Sequence, residues 1–319
     1  MLKYHHHVTA VVTDMRQETA RVRSYELRDP DNWELPPFGA GAHVDIRLEN
    51  GIIRQYSLCS DPGDRNFYRI AVQAEAEGRG GSLAVQDQLR PGAKVALSLP
   101  RNHFPLHVEA ARHILVAGGI GITPFISMME QLDQQNTEYI LHYCGRDPAS
   151  MAFHDLLLQP HRRGKVYFHY SETDQPNLLD LSQLAASAQS GDHLYCCGPG
   201  ALIDAFLSAT CALPPDTVHY EKFGGAAASG EGDIAFSVEL ASSGRTIDVG
   251  THETILEALR RENVEVDASC EAGVCAACKT RYLSGTVIHR DLLLKGDDQK
   301  EFLIPCVSRC AGDKLVLDL

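Results

Sequence analysis

The sequence predicts a multidomain chain in three parts: an antiparallel β-barrel, a Rossmann-like α/β parallel sheet, and a small α+β module built around cysteines. Three observations predict it. The first hundred residues are short strand-like runs separated by turn signals, and the next hundred alternate strands with helical stretches. The last part follows a small, polar, aperiodic linker, "GGAAASGEGD", and carries three closely spaced cysteines in "SCEAGVCAACKT". The expected boundaries are 1–108, 109–223, a linker at 224–233, and 234–319.

In the first part, "AHVDIRL", "YRIAVQA" and "KVALSLP" alternate in the manner of half-buried strands, and "LENG", "SDPGDRN" and "RPGA" supply the turns. In the second, "HILVAGG" leads to "PFISMMEQLDQQ", "YILHYCG" to "AFHDLLLQ", and "HLYCCGP" to "ALIDAFLSAT", each a strand feeding a helix. In the third, "IAFSVELASSGRTIDV" reads as a hairpin around Ser243-Gly244. "THETILEALRREN" reads as a helix capped by Thr251 and closed by Arg260 and Arg261, where the helix dipole favours cations. No internal repeat is present.

Composition narrows the function. The 319 residues are 44% hydrophobic and 22% charged, enough for buried cores, and the net charge is −13. Phosphate backbones would be repelled, so nucleic-acid binding is excluded as a function class. Part of the acidity is a candidate for steering a basic protein partner. The start, "MLKYHHHVTA", lacks the apolar core of a signal peptide. The longest apolar stretch, "HILVAGGIGITPFISMM", is broken by glycines and a proline, so no membrane span is expected. A cytoplasmic location follows as an expectation, and there the ten cysteines serve metal or redox chemistry rather than disulfides. His5 to His7 receive no function.

Counting gives Cys270-x4-Cys275-x2-Cys278 and, after 27 further residues, Cys306. This is the plant-type [2Fe–2S] spacing. Zinc would more naturally show two C-x2-C pairs or a pair with spaced histidines, and a thiol redox pair at Cys275 and Cys278 would not need Cys270. Gly273, Ala276 and Ala277 let a loop wrap closely around negatively charged sulfides. "IPCVSRC" offers both Cys306 and Cys310 as the fourth ligand; Cys306, ending an apolar run after Pro305, is preferred.

Two further motifs indicate what feeds such a cluster. "RQYSLCSDP" sits where a barrel strand meets a turn. Gly80, Gly81 and Ser82 then open the helical "LAVQDQL", an N-terminus with free N–H groups suited to an anion. Arg54 adds a bidentate grip on the same phosphate, Tyr56 a ring to pack on a planar cofactor, and Ser57 a donor to a ring nitrogen. In "VAGGIGITPFISM" a strand runs into Gly118-Gly119-x-Gly121 and then Pro124, a residue suited to a first helical turn. "YCCGPGALIDAF" repeats the logic with Cys197, Gly198 and Pro199. Two such loops at neighbouring strand ends make a dinucleotide crevice.

Taken in this order, Arg54-x-Tyr56-Ser57, Gly80-Gly81-Ser82, GGIGITP, CCGP and the carboxy-terminal cysteines resemble the phthalate dioxygenase reductase family over nearly the whole chain. These proteins supply electrons to Rieske-type oxygenases. The resemblance implies an FMN-binding barrel, an NAD-binding α/β domain and a β-grasp ferredoxin domain. It implies an NADH-dependent reductase whose partner is an oxygenase, a dioxygenase or O-demethylase acting on an aromatic substrate. It also implies Ala71 and Gln73 beside the flavin, Phe223 against it where nicotinamide must enter, and Thr123 and Cys197 near the hydride-transfer site. An FAD reductase serving another hydroxylase, and a non-enzymatic iron–sulfur carrier or sensor, are the alternatives. Two departures stand out. Relatives often carry glycine where this chain has Ala276, and alanine at φ > 0 would cost roughly 1 kcal/mol. Where an acid would hold the adenosine ribose, Ser171 comes first, with Glu172 and Asp174 just after; the lack of Arg or Lys in that run argues against a 2′-phosphate.

Overall fold

A computed structural model describes residues 7–48, 53–75, 81–159, 164–223, 233–268, 273, 276–291 and 293–319. The chain divides into two compact units, Met1–Phe223 and Gly224–Leu319.

The first unit opens with β1 (His7–Gln17), β2 (Val22–Arg28), β3 (His43–Arg47), β4 (Ile53–Ser57), β5 (Tyr68–Gln73), α1 (Gly81–Gln88) and β6 (Lys94–Ser98). The six strands form one antiparallel sheet in the order β4-β3-β6-β1-β2-β5. Its two end strands, β4 and β5, touch and so close the barrel. Alternate residues such as Val12, Tyr25, Leu27, Val44, Ile46, Ile70 and Leu97 fill the interior.

There follow β7 (Arg112–Gly118), a 3₁₀ turn (Gly119–Ile122), α2 (Thr123–Gln134), β8 (Tyr139–Gly145), α3 (His154–Leu157), β9 (Lys165–Tyr170), α4 (Leu181–Ala186), β10 (Asp192–Gly198), α5 (Gly200–Ala209) and β11 (Val218–Lys222). The strands form a parallel sheet ordered β11-β10-β7-β8-β9. One face shares a core with the barrel: Leu115, Phe125 and Met128 pack in one cluster with Val22, Ala71 and Phe104. The other face, with Ile114, Val116 and Leu194, is covered by Leu184 of α4 and by Ile203 and Phe206 of α5. The helix expected over "AFHDLLLQ" is shorter than its pattern. Phe153 adopts φ 60 and ψ 14, left-handed values that cannot continue a right-handed helix, so only His154–Leu157 is helical.

The second unit comprises β12 (Phe236–Leu240), β13 (Thr246–Val249), α6 (Ile255–Arg261), β14 (Thr280–Ser284), β15 (Val287–Ile288), α7 (Asp298–Glu301), β16 (Phe302–Leu303), β17 (Arg309–Cys310) and β18 (Lys314–Leu317). Its main sheet runs β13-β12-β18-β14-β16, with first and last strands β12 and β18 side by side and parallel, a β-grasp arrangement. The expected hairpin is present, with Gly244 at φ +66 in its turn. The helix cap is Thr254 rather than Thr251. Thr254 accepts from the Glu257 amide at 3.0 Å while the Glu257 carboxylate accepts from the Thr254 amide at 2.9 Å. Thr251 has no acid three residues on to close such a box. Among the described residues, no helix is long and apolar enough to cross a membrane.

Candidate functional site

The first pocket is built where the barrel closes. Arg54 and Tyr56 alternate onto one side of β4, opposite Ile46 and Val44 of β3. Helix α1 packs on β5 through Gln86, whose side-chain amide donates to Val72 O at 2.8 Å. This brings the amino end of α1 against the guanidinium of Arg54. A Cβ on Gly81 would fall 2.1 Å from Arg54 Nε and 2.5 Å from its Cζ, so glycine is what lets the guanidinium lie in this position. Ser82 Oγ accepts from the Glu75 amide at 3.0 Å, and Gln73 donates to the Glu75 carboxylate at 2.5 Å. Tyr56 is half-buried against the barrel core, and burial raises its phenol well above the usual range. Ser57 and Ala71 are buried. Gly80 lies outside the described residues. The structure thus brings Arg54, Gly81, Ser82 and Gln73 to one corner, where first-turn N–H groups and a guanidinium favour an anion.

The second pocket lies at the carboxyl ends of the parallel strands. The loops leaving β7 and β10 press backbone to backbone. A Cβ on Gly121 would lie 2.2 Å from Cys197 O, and one on Gly198 3.0 Å from Gly118 Cα. Gly119 sits at φ +53 and its carbonyl accepts from Tyr143 OH at 3.1 Å. Thr123 is buried and donates to Ile120 O at 3.0 Å, Pro124 stands in the first turn of α2, and Pro199 precedes α5. Glu172 follows β9, and its amide donates to Arg146 O at 2.8 Å. Reading residues 171–174 alone found no basic residue; the fold sets Arg146, from the β8 end, beside them.

Cys197 and Glu221 are partners on adjacent strands β10 and β11, and Phe223, two residues on, packs against the shared core. Glu221 Oε2 is fully enclosed and has no hydrogen-bond partner among the described residues. Burial pushes its carboxyl up to about 8, so it holds a proton at neutral pH. Burial, and then the Glu221 charge, raises the Cys197 thiol. Sequence reading missed Glu221. The one available signal was an acid at the end of a strand ("HYEKF") beside a residue already assigned to the site.

The third site is in the second unit. Cys278 and Cys306 are buried with Leu256, Leu294, Ile304 and Val307, and their sulfurs lie 3.6 Å apart. Two thiolates on one tetrahedral metal, with metal–sulfur bonds of about 2.3 Å, are separated by roughly 3.8 Å, so this pair fits a shared iron. Cys310 is engaged elsewhere: it accepts from the Gly312 amide at 3.3 Å and donates to Lys314 O at 3.5 Å. Cys270 and Cys275 lie outside the described residues. Gly273 has φ +73, and a Cβ there would meet Val307 Cγ2 at 2.8 Å; Ala276 has φ 58, the conformation suspected from its departure from glycine.

Comparison with known proteins agrees with this geometry. Residues 115–207 match the oxidoreductase NAD-binding domain, and residues 238–311 match the 2Fe-2S iron-sulfur cluster binding domain. A chain combining the two is an NAD-linked oxidoreductase with an iron–sulfur centre. It is 42% identical over 306 residues to the phthalate dioxygenase reductase of Burkholderia cepacia, covering 95% of both chains. It is 40% identical over 310 residues to a heme-dependent oxidative N-demethylase beta subunit of Ectopseudomonas mendocina, covering 97% of both. A solved phthalate dioxygenase reductase, described as modular for electron transfer from pyridine nucleotides to [2Fe-2S], superposes with a TM-score of 0.86 at 40% identity, covering 98% of each chain. The chain belongs to the phthalate dioxygenase reductase family.

Proposed function

We propose that this chain is the reductase component of an oxygenase system, taking electrons from NADH onto FMN and passing them through a [2Fe–2S] cluster to an oxygenase partner. The observation that carries the flavin part is the Arg54 guanidinium resting on Gly81 at the start of α1, a cradle for one terminal phosphate. When bound, flavin takes a hydride and gives up its electrons singly, which matches a two-electron donor to a one-electron cluster.

The chain's own residues bind, orient and shield. Arg54 and the amides of Gly80, Gly81 and Ser82 hold the phosphate. Tyr56 packs against the ring system, and Ser57, Ala71 and Gln73 line it. The glycines 118, 119, 121 and 198 and Pro199 leave room for a pyrophosphate, and Glu172 receives the adenosine ribose. Thr123, Cys197 and Phe223 border the place where nicotinamide meets flavin. Cys270, Cys275, Cys278 and Cys306 hold the iron. The proposed domains are 1–108 for FMN, 109–223 for NAD and 234–319 for the cluster, with 224–233 as linker. The proposed setting is reducing and cytoplasmic, where clustered cysteines serve metal chemistry.

The partner is an oxygenase met transiently, of the Rieske dioxygenase or O-demethylase kind. A relative named as the beta subunit of a heme-dependent N-demethylase has comparable identity, so the partner's metal centre is a separate choice from this fold. Heat release of the flavin followed by chromatography tests the cofactor: FMN is expected, and FAD would overturn it. The coenzyme reading requires kcat/KM for NADH to exceed that for NADPH, the comparison that also weighs Arg146 against Glu172.

A further inference from the structure

Lys279 follows the thiol Cys278 directly, and both its ends are fixed. Its amide donates to Ala276 O at 2.9 Å. Its ammonium stands 4.0 Å from the centroid of the Phe302 ring and 3.4 Å from Asp298 Oδ1. Phe302 in turn packs against the buried group containing Cys278, Cys306, Ile304 and Val307. A lysine on an open surface sweeps a wide volume, and water screens its charge. Here a ring face and a carboxylate hold the ammonium over the wall of the compartment that encloses two thiols, and its side chain is 31% exposed.

An electron arriving beside those thiols adds one negative charge and brings no proton. A fixed cation stabilises the reduced form more than the oxidised form, whereas a nearby carboxylate does the reverse. Net charge and local exposure are among the levers that set an iron–sulfur potential. The Asp298 side chain is 55% exposed against 31% for Lys279, so water screens its opposing effect more strongly. The cation dominates.

We propose that Lys279, held in place by Phe302 and Asp298, raises the reduction potential of the [2Fe–2S] centre and so favours electron delivery from flavin to cluster. This rests on the assignment of Cys278 and Cys306 as cluster thiols.

The test is a redox titration of the full-length, iron-loaded protein, following the paramagnetic signal of the reduced cluster. At a fixed solution potential near the wild-type midpoint, Lys279→Gln should lower the reduced-to-oxidised ratio about three- to tenfold. Asp298→Asn should raise that ratio about twofold. Phe302→Leu should shift it the same way as Lys279→Gln by a smaller factor, and Lys279→Arg should stay near wild type. Iron content should be unchanged in Asp298→Asn and Lys279→Arg, which keep the titration readable if another variant loads poorly. Equal ratios in Lys279→Gln and wild type, or shifts of the same sign for Lys279→Gln and Asp298→Asn, would overturn the proposal. A wild-type protein without iron would instead overturn the cluster assignment beneath it.

Discussion

The sulfurs of Cys278 and Cys306 lie 3.6 Å apart in a buried apolar compartment, while Cys310, four residues after Cys306, hydrogen-bonds within its own turn. Cys306→Ser should therefore abolish the cluster, and Cys310→Ser should leave about two irons and two sulfides per chain. Iron and sulfide analysis checks this. The reverse pattern would move the fourth ligand to Cys310, and stoichiometric zinc would remove the cluster altogether.

Ala276 stands at φ 58, where a Cβ crowds the following carbonyl. Ala276→Gly should stabilise the second unit by up to about 1 kcal/mol, the relieved strain being partly offset by the greater freedom of glycine in the unfolded chain. Denaturant unfolding of the iron-loaded protein measures it. An unchanged midpoint would mean that the loop accommodates alanine without strain.

Glycine at 81 lets the Arg54 guanidinium rest against the start of α1. Gly81→Ala places a methyl group 2.1 Å from Arg54 Nε, so the guanidinium must move. Flavin affinity should fall at least about tenfold, the effect of losing a charge-assisted contact, and Arg54→Gln should behave similarly. Circular dichroism should show an intact fold in both. Full flavin retention in both variants would place the phosphate elsewhere.

Two opposed titrations shape stability between pH 4 and 8. Glu221 is raised from 4.5 to about 8 by burial, so the folded state binds more protons than the unfolded one across that window. Its contribution is therefore present at low pH and lost as pH rises towards 8. On the acid side, burial lowers His113 and His219 from 6.5 to about 4, helped by neighbouring imidazoles, and His193 Nδ1 lies 2.8 Å from His219 Nε2. The folded state there binds fewer protons, so stability is lost as pH falls from 6.5 through about 4. Glu221→Gln should remove the fall that Glu221 imposes between pH 4.5 and about 8, so a melting-temperature profile rises more steeply from 4.5 to 6.5 and stays flatter from there to about 8. A profile unaltered between 4.5 and about 8 would show that Glu221 titrates in the folded protein as it does in the unfolded chain.

Much of this was legible because strand and helix periods are local. The barrel runs, the alternation from 111 to 223 and the cysteine spacing are written in neighbouring residues. What was missed depends on distant ones. Glu221 keeps its proton because β10 and the surrounding packing exclude water, a property of strands brought together by the fold. Arg146 reaches the Glu172 turn only through the β8–β9 pairing. The helix cap was placed at Thr251 because both threonines carry the right hydroxyl; Glu257 decides between them.

The central claim is that electrons leave the flavin through the cluster, and truncation after Gly230 tests it most directly. Met1–Phe223 is a compact unit of its own, so the fragment should fold, hold FMN and reduce ferricyanide with NADH at the rate of the full chain. It should lose most of its electron transfer to cytochrome c and to the oxygenase, because the one-electron outlet is gone. A fragment that reduces its oxygenase as fast as the full chain would contradict the account, leaving the paired thiols of Cys278 and Cys306 a structural role only.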